Sequence, residues 1–144
     1  PSTSVPSLSA VSFAGGFQGM TLSGSVLTTN WTGGSVLSSA LPRLSLADNL
    51  IYTIIVESST QGQGRTLQTT VSYSFAAVDA DTGDVVGTPL PVGSNTFSGS
   101  SPNYANTGSY TWNTLQMTGV ISPSGVFYQG TAGGLFLVRR QRTG

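Results

Sequence analysis

The chain of 144 residues contains no histidine, no cysteine and no lysine, and only 7% of it is charged. Each absence removes a class of chemistry. Histidine is the usual general base and the commonest metal ligand. Cysteine and lysine are the usual nucleophiles beside serine and threonine. A Ser-His-Asp triad, a Cys-His dyad, a Ser-Lys dyad, a Schiff base and a conventional zinc site are all excluded. No disulfide holds the fold. No apolar run approaches the roughly 18 residues of a membrane-spanning helix, so no membrane insertion is expected. The opening Pro1-Ser2-Thr3-Ser4-Val5-Pro6-Ser7 has no signal-peptide pattern and no starting Met; it reads as the entry of an excised domain or a processed product.

What remains is five arginines, five acids, 19 glycines and an abundance of serine and threonine, at a formal net charge of +0. Arg139, Arg140 and Arg142 crowd the end of the chain, so the rest is slightly acidic. Nucleic acid is not an expected partner, because its binding runs on phosphate neutralisation by Lys and Arg. Val, Ile, Thr, Tyr and Phe are plentiful and net charge is low, the opposite of a disordered composition. The length fits one domain. Residues 1–9 read as a linker or hinge, 10–140 as a single domain and 141–144 as a short tail.

No segment keeps a helical apolar stripe over three turns, whereas period-two alternation recurs throughout. In Thr66 to Val78, Leu67, Thr69, Val71, Tyr73, Phe75 and Ala77 line one face, and Gln68, Thr70, Ser72 and Ser74 line the other. This predicts a strand with one buried and one wet face. Leu50 to Glu57 (LIYTIIVE) is the most apolar run and predicts a central strand. Further strands are expected over Leu8–Ala14, Met20–Thr29, Tyr110–Ile121, Val126–Tyr128 and Leu135–Arg140. Pro89 and Pro91 are expected to end the strand that starts at Val85, leaving Val92–Ser109 as a long polar loop. About eight to ten strands with evenly spaced turns predict an all-β antiparallel sandwich or jelly roll with little or no helix.

Few residues offer chemistry. Asp79, Asp81 and Asp84 crowd one turn around Gly83, and their oxygens suit Ca²⁺, the one cofactor the sequence suggests. The same pattern also fits a plain hairpin turn, in which Asp caps backbone N–H groups. Asp81-Thr82-Gly83 matches the aspartic-protease tripeptide. The neighbouring Asp84 and Asp79 would disturb the shared proton that such a dyad needs. Glu57 is the lone glutamate; a glycosidase would need it to face Asp48 or the aspartate turn across a cleft. Asn30-Trp31-Thr32 is a glycosylation sequon. Trp112 and Tyr128 are expected in the core. In the predicted loop, Asn95, Asn103, Tyr104 and Asn106 combine a rigid aromatic with amides, as recognition loops do. No residue set points to turnover, and the chain is expected not to be an enzyme.

With its Pro/Ser/Thr entry, its all-β pattern and its missing catalytic residues, the chain resembles the protruding (spike) domain of small icosahedral RNA-virus capsid proteins of nodavirus-like or tombusvirus-like type. The resemblance covers the whole chain and is one of composition and style, without a diagnostic motif. It implies a virion-surface domain that self-associates as a dimer or trimer and contacts a host-cell receptor or glycan. In some such domains aspartate pairs bind Ca²⁺ at subunit contacts, and Asp79 and Asp81 match that Asp-x-Asp pattern. The same composition also fits a carbohydrate-binding or adhesin sandwich module of a cell-surface or secreted protein.

Overall fold

In a computed structural model, residues 15–98, 112, 114 and 117–139 are described. They form nine strands in chain order: β1 (Gly15–Ser23), β2 (Val26–Ser38), β3 (Arg43–Ser45), β4 (Leu50–Gln61), β5 (Gln68–Asp79), β6 (Val85–Ser98), β7 (Val120–Ile121), β8 (Val126–Thr131) and β9 (Gly134–Arg139). The only helical element among the described residues is a 3-10 turn at Gly64–Thr66. Six strands form one antiparallel sheet in the order β1-β2-β4-β5-β6, with β3 also paired to β4, and β7-β8-β9 form a second. The all-β sandwich read from the alternation is the fold observed.

The β4–β5 hairpin is the backbone of the molecule, paired without interruption from Leu50↔Asp79 to Gln61↔Gln68. Its pleat sorts side chains strictly by parity. Tyr52, Ile54, Val56, Val71, Tyr73 and Phe75 point to one face. There they meet Phe127, Ile121, Phe136 and Val138 of the second sheet, together with Phe97 of β6. Tyr52, Phe75 and Phe127 form an aromatic knot, with Phe75 and Phe127 at 5.0 Å between centroids and tilted by 47°. Ile55, Ala76 and Val78 point to the opposite face, where Phe17 of β1, Ile51 and Val85 pack on them.

Residues 38–43 stitch the sheets together. The buried Ser38 hydroxyl bridges Thr53 Oγ1 and the Ile54 carbonyl, and Thr114 Oγ1 donates to the Ser39 carbonyl. A parallel bridge joins Leu41 to Thr118, and Arg43 Nε donates to the Gly119 carbonyl at 2.7 Å.

Several expected boundaries move. Met20–Thr29 is not one strand but a hairpin that turns at Gly24, where φ is +61°. Pro89 and Pro91 do not end β6. That strand runs to Ser98 through two register shifts, one of which skips Gly87–Pro89. The reason is position: β6 is a sheet edge, where a missing N–H breaks no ladder bond, and bulges absorb the proline geometry. The expected strand over Tyr110–Ile121 shrinks to Val120–Ile121 among the described residues. The Leu8–Ala14 expectation lies outside them.

Candidate recognition face

Beyond Ile55, the outer face of β4-β5-β6 turns from apolar to polar. Register aligns three cross-strand rows there: Glu57-Ser72-Ser94, Ser59-Thr70-Thr96 and Gln61-Gln68-Ser98. Rows lie about 6.8 Å apart along the strands and neighbours about 4.8 Å apart across them. Thr70 and Thr96 share a hydrogen bond of 3.0 Å between their hydroxyls. The result is a platform of hydroxyls and amides with one carboxylate at its corner. The Glu57 carboxylate has no hydrogen-bond or ion-pair partner among the described residues. Glu57 also lines a cleft of about 380 Å³ whose other walls include Leu37, Ile55, Val85 and Pro89. Polar groups on a rigid sheet beside an apolar cleft are the ingredients of a small-ligand recognition surface.

The alternation of β5 had already displayed Gln68, Thr70 and Ser72 as a wet stripe. Their neighbours on β4 and β6 were not visible, because register is a pairing property that one strand's sequence does not carry.

Asn95 requires a correction. It was expected on an exposed recognition loop. It sits instead within β6 opposite Val71, only 8% exposed, on the face that carries the main core. The cause is the continuation of β6 past its prolines, which turns the start of the supposed loop into strand. Asn103, Tyr104 and Asn106 lie outside the described residues.

The aspartate turn is occupied by its own backbone. Asp79 Oδ1 accepts from the amides of Asp81 and Thr82 at 2.8 and 3.0 Å, and Gly83 donates back to the Asp79 carbonyl. Asp81 Oδ2 accepts from Asn49 Nδ2 at 2.8 Å. Among the described residues, no three acidic side chains gather as a set able to hold a metal. The geometry is that of the hairpin turn, and the Ca²⁺ expectation at Asp79, Asp81 and Asp84 finds no support in it.

Glu57 does not face the other acids. Asp48 and the Asp79 turn lie at the Leu50 end of the β4–β5 pair, and about 23 Å of strand separates Leu50 from Glu57. Carboxyl pairs of glycosidases stand roughly 5–9.5 Å apart. At its own end, Asp48 is held below the usual carboxylate range by hydrogen bonds from Ser45 and then Tyr52, the latter at 2.6 Å.

The aromatics divide. Trp31 is half-buried in β2, and its indole N–H donates to the Ala80 carbonyl at 3.0 Å. Trp112 lies over Gly93 and against the main core, as expected. Tyr128 is half-buried on the outer face of the second sheet, opposite Val120 and Leu137, rather than in either core cluster.

The β1–β2 ribbon is a hairpin where the sequence predicts a single strand over Met20–Thr29. From Met20 to Asn30 it is exposed on both faces. Cross-strand pairing puts Met20, Leu22 and Leu27 on one side and Thr21, Ser23, Val26 and Thr28 on the other. Met20, Leu22 and Leu27 are 45%, 68% and 60% exposed. Neither strand carries a charge.

Compared with protein-family models, curated proteins and solved structures, the chain matches none.

Proposed function

We propose that this chain is a self-associating surface domain, of the kind that projects as a spike from a small virus capsid, and that its work is contact rather than catalysis. The observation that carries this reading is the β1–β2 ribbon. A two-stranded ribbon bare on both faces is marginal in water. Its uncharged edge lacks the lysines and prolines that usually guard an open strand. An apolar side of Met20, Leu22 and Leu27 gives such an edge something to bury. With five acids and five arginines in the chain, little like-charge repulsion opposes association. Host contact is assigned to the polar platform and to Asn103, Tyr104 and Asn106.

The platform also favours a second reading, a monomeric carbohydrate-binding module. Hydroxyl and amide rows beside the Glu57 cleft suit a neutral glycan as well as a receptor. Sedimentation velocity over a concentration series, combined with a glycan array, separates the two. A dimer or trimer supports the spike reading. A strict monomer that binds glycans through Thr70 and Thr96 replaces it with the second.

A further inference from the structure

We propose that Asn30 is an acceptor site for N-linked glycosylation. The chain has six asparagines, and Asn30 alone is followed two residues later by Ser or Thr, without proline between. The structure gives that sequon an unusual place. On β1, Met20 and Gly19 are consecutive; on β2 their partners are Thr29 and Trp31. Asn30 is therefore the extra residue of a β-bulge and has no cross-strand partner. Bulges interrupt the ladder and re-aim side chains. Here the bulge lies on the outermost hairpin of the sheet, next to an edge strand. Asn30 and Thr32 are both exposed, while Trp31 between them is anchored by its bond to the Ala80 carbonyl. The residues an oligosaccharide transferase must reach face solvent, and the bulky middle residue is turned into the body.

The chemistry is compatible with the native contacts. Asn30 Nδ2 donates to Thr21 Oγ1 at 2.6 Å. An amide nitrogen has two protons. In transfer from an oligosaccharide carried on a lipid pyrophosphate, Nδ2 bonds the anomeric carbon and the carbon–oxygen bond to pyrophosphate breaks. The lipid pyrophosphate leaves with that electron pair, and one Nδ2 proton passes to a base of the transferase. No oxidant or reductant is needed. The second proton remains to keep the bond to Thr21. The glycan then stands on the Thr21 side of the ribbon, leaving the Met20, Leu22 and Leu27 side free, so the inference is independent of the function proposed above.

The test is to route the full chain through the secretory pathway of a eukaryotic cell and measure intact mass and gel mobility, in lysate and medium, before and after peptide-N-glycosidase. The wild type should yield a heavier species that the glycosidase collapses, leaving aspartate at position 30. Asn30→Gln and Thr32→Ala should each lose that species completely, and Thr32→Ser should keep it. A single unshifted wild-type species overturns the proposal, as does a glycosidase-sensitive shift that survives Asn30→Gln. Equal melting temperatures of the bacterially produced wild type and both variants establish that any loss is of the acceptor and not of the fold.

Discussion

Trp31 packs its indole ring against Gly83. A Cβ built on Gly83 would stand 2.4 Å from the indole ring, and Gly83 itself has φ +78°. The β1–β2 ribbon is thus clamped to the β5–β6 turn by a contact that only glycine permits. Gly87 offers a matched control: its φ is +73°, and nothing lies within 4 Å of its would-be Cβ. Both Ala substitutions incur the left-handed backbone penalty of about 1–2 kcal/mol. Gly83→Ala adds overpacking of about 1–3 kcal/mol. Chemical denaturation should therefore rank Gly83→Ala clearly below Gly87→Ala. Equal losses would mean that the indole does not rest there.

Phe127 of the second sheet is 4% exposed and touches both Tyr52 and Phe75 of the first. Phe127→Ala should cost about 3–5 kcal/mol by cavity formation. Leu135→Ala on the neighbouring strand, where the side chain is 69% exposed, should stay within about 0.5 kcal/mol. Urea midpoints of the two variants measure the contrast.

The Asp79 carboxylate holds two turn amides, so its loss should act on the fold rather than on a metal. Asp79→Ala should cost about 1 kcal/mol, as loss of a capping side chain does, and Asp79→Asn much less. Millimolar Ca²⁺ should leave the melting temperature of the wild type unchanged, because only a ligand bound by the native state raises it. A Ca²⁺-dependent rise that disappears in Asp81→Asn would restore the metal site.

Asp48 supplies a pH dependence of known sign. Hydrogen bonds from Ser45 and Tyr52 lower its pKa below 3.8 in the folded chain. A carboxylate with a depressed native pKa stabilises the fold above its unfolded value and loses that stabilisation as pH falls through the native value. The side chain is largely exposed, so solvent screening keeps the effect small. Between about pH 5 and about pH 2.5, the melting temperature of the wild type should fall somewhat more than that of Asp48→Asn. Parallel curves would remove Asp48 from the acid transition.

The fold was legible because alternation is a local signal. In β5 the packing follows the alternation from Thr69 to Tyr73; at its far end Ala76 and Val78 are buried on the face read as wet, because β1 and Val85 cover them there. The edge was less legible. Pro89 and Pro91 are strand breakers only where the ladder needs an N–H at their position, and nothing local to them says that β6 is an edge. Asn95 was misplaced for that reason. The acidic turn was easy to find and ambiguous in meaning, since the oxygens that cap amides are those that would bind a cation. The ribbon was least legible. Leu22 and Leu27 look like core residues in sequence, and only the pairing reveals that they face each other in solvent. The platform belongs to the same class of feature, built from register across three strands.

The ribbon supplies the sharpest test of self-association. Leu22 and Leu27 are cross-strand partners, so an interface on that side buries both together. A charge placed on either must be desolvated when the partner arrives, whereas in the free chain it remains in water. Leu22→Asp and Leu27→Asp should therefore leave the melting temperature of dilute protein nearly unchanged. Each should weaken association by at least about tenfold, equivalent to about 1.4 kcal/mol. Val26→Asp, on the opposite side of the same ribbon, is the control and should have little effect. Sedimentation equilibrium of the wild type and the three variants at about 10 μM gives the comparison. If all four sediment alike as oligomers, association runs through another surface, the β9 edge with exposed Leu135 and Leu137 being the next to examine. If the wild type is itself a monomer at that concentration, the spike reading fails, and the polar platform is left to explain the protein as a monomeric binding module.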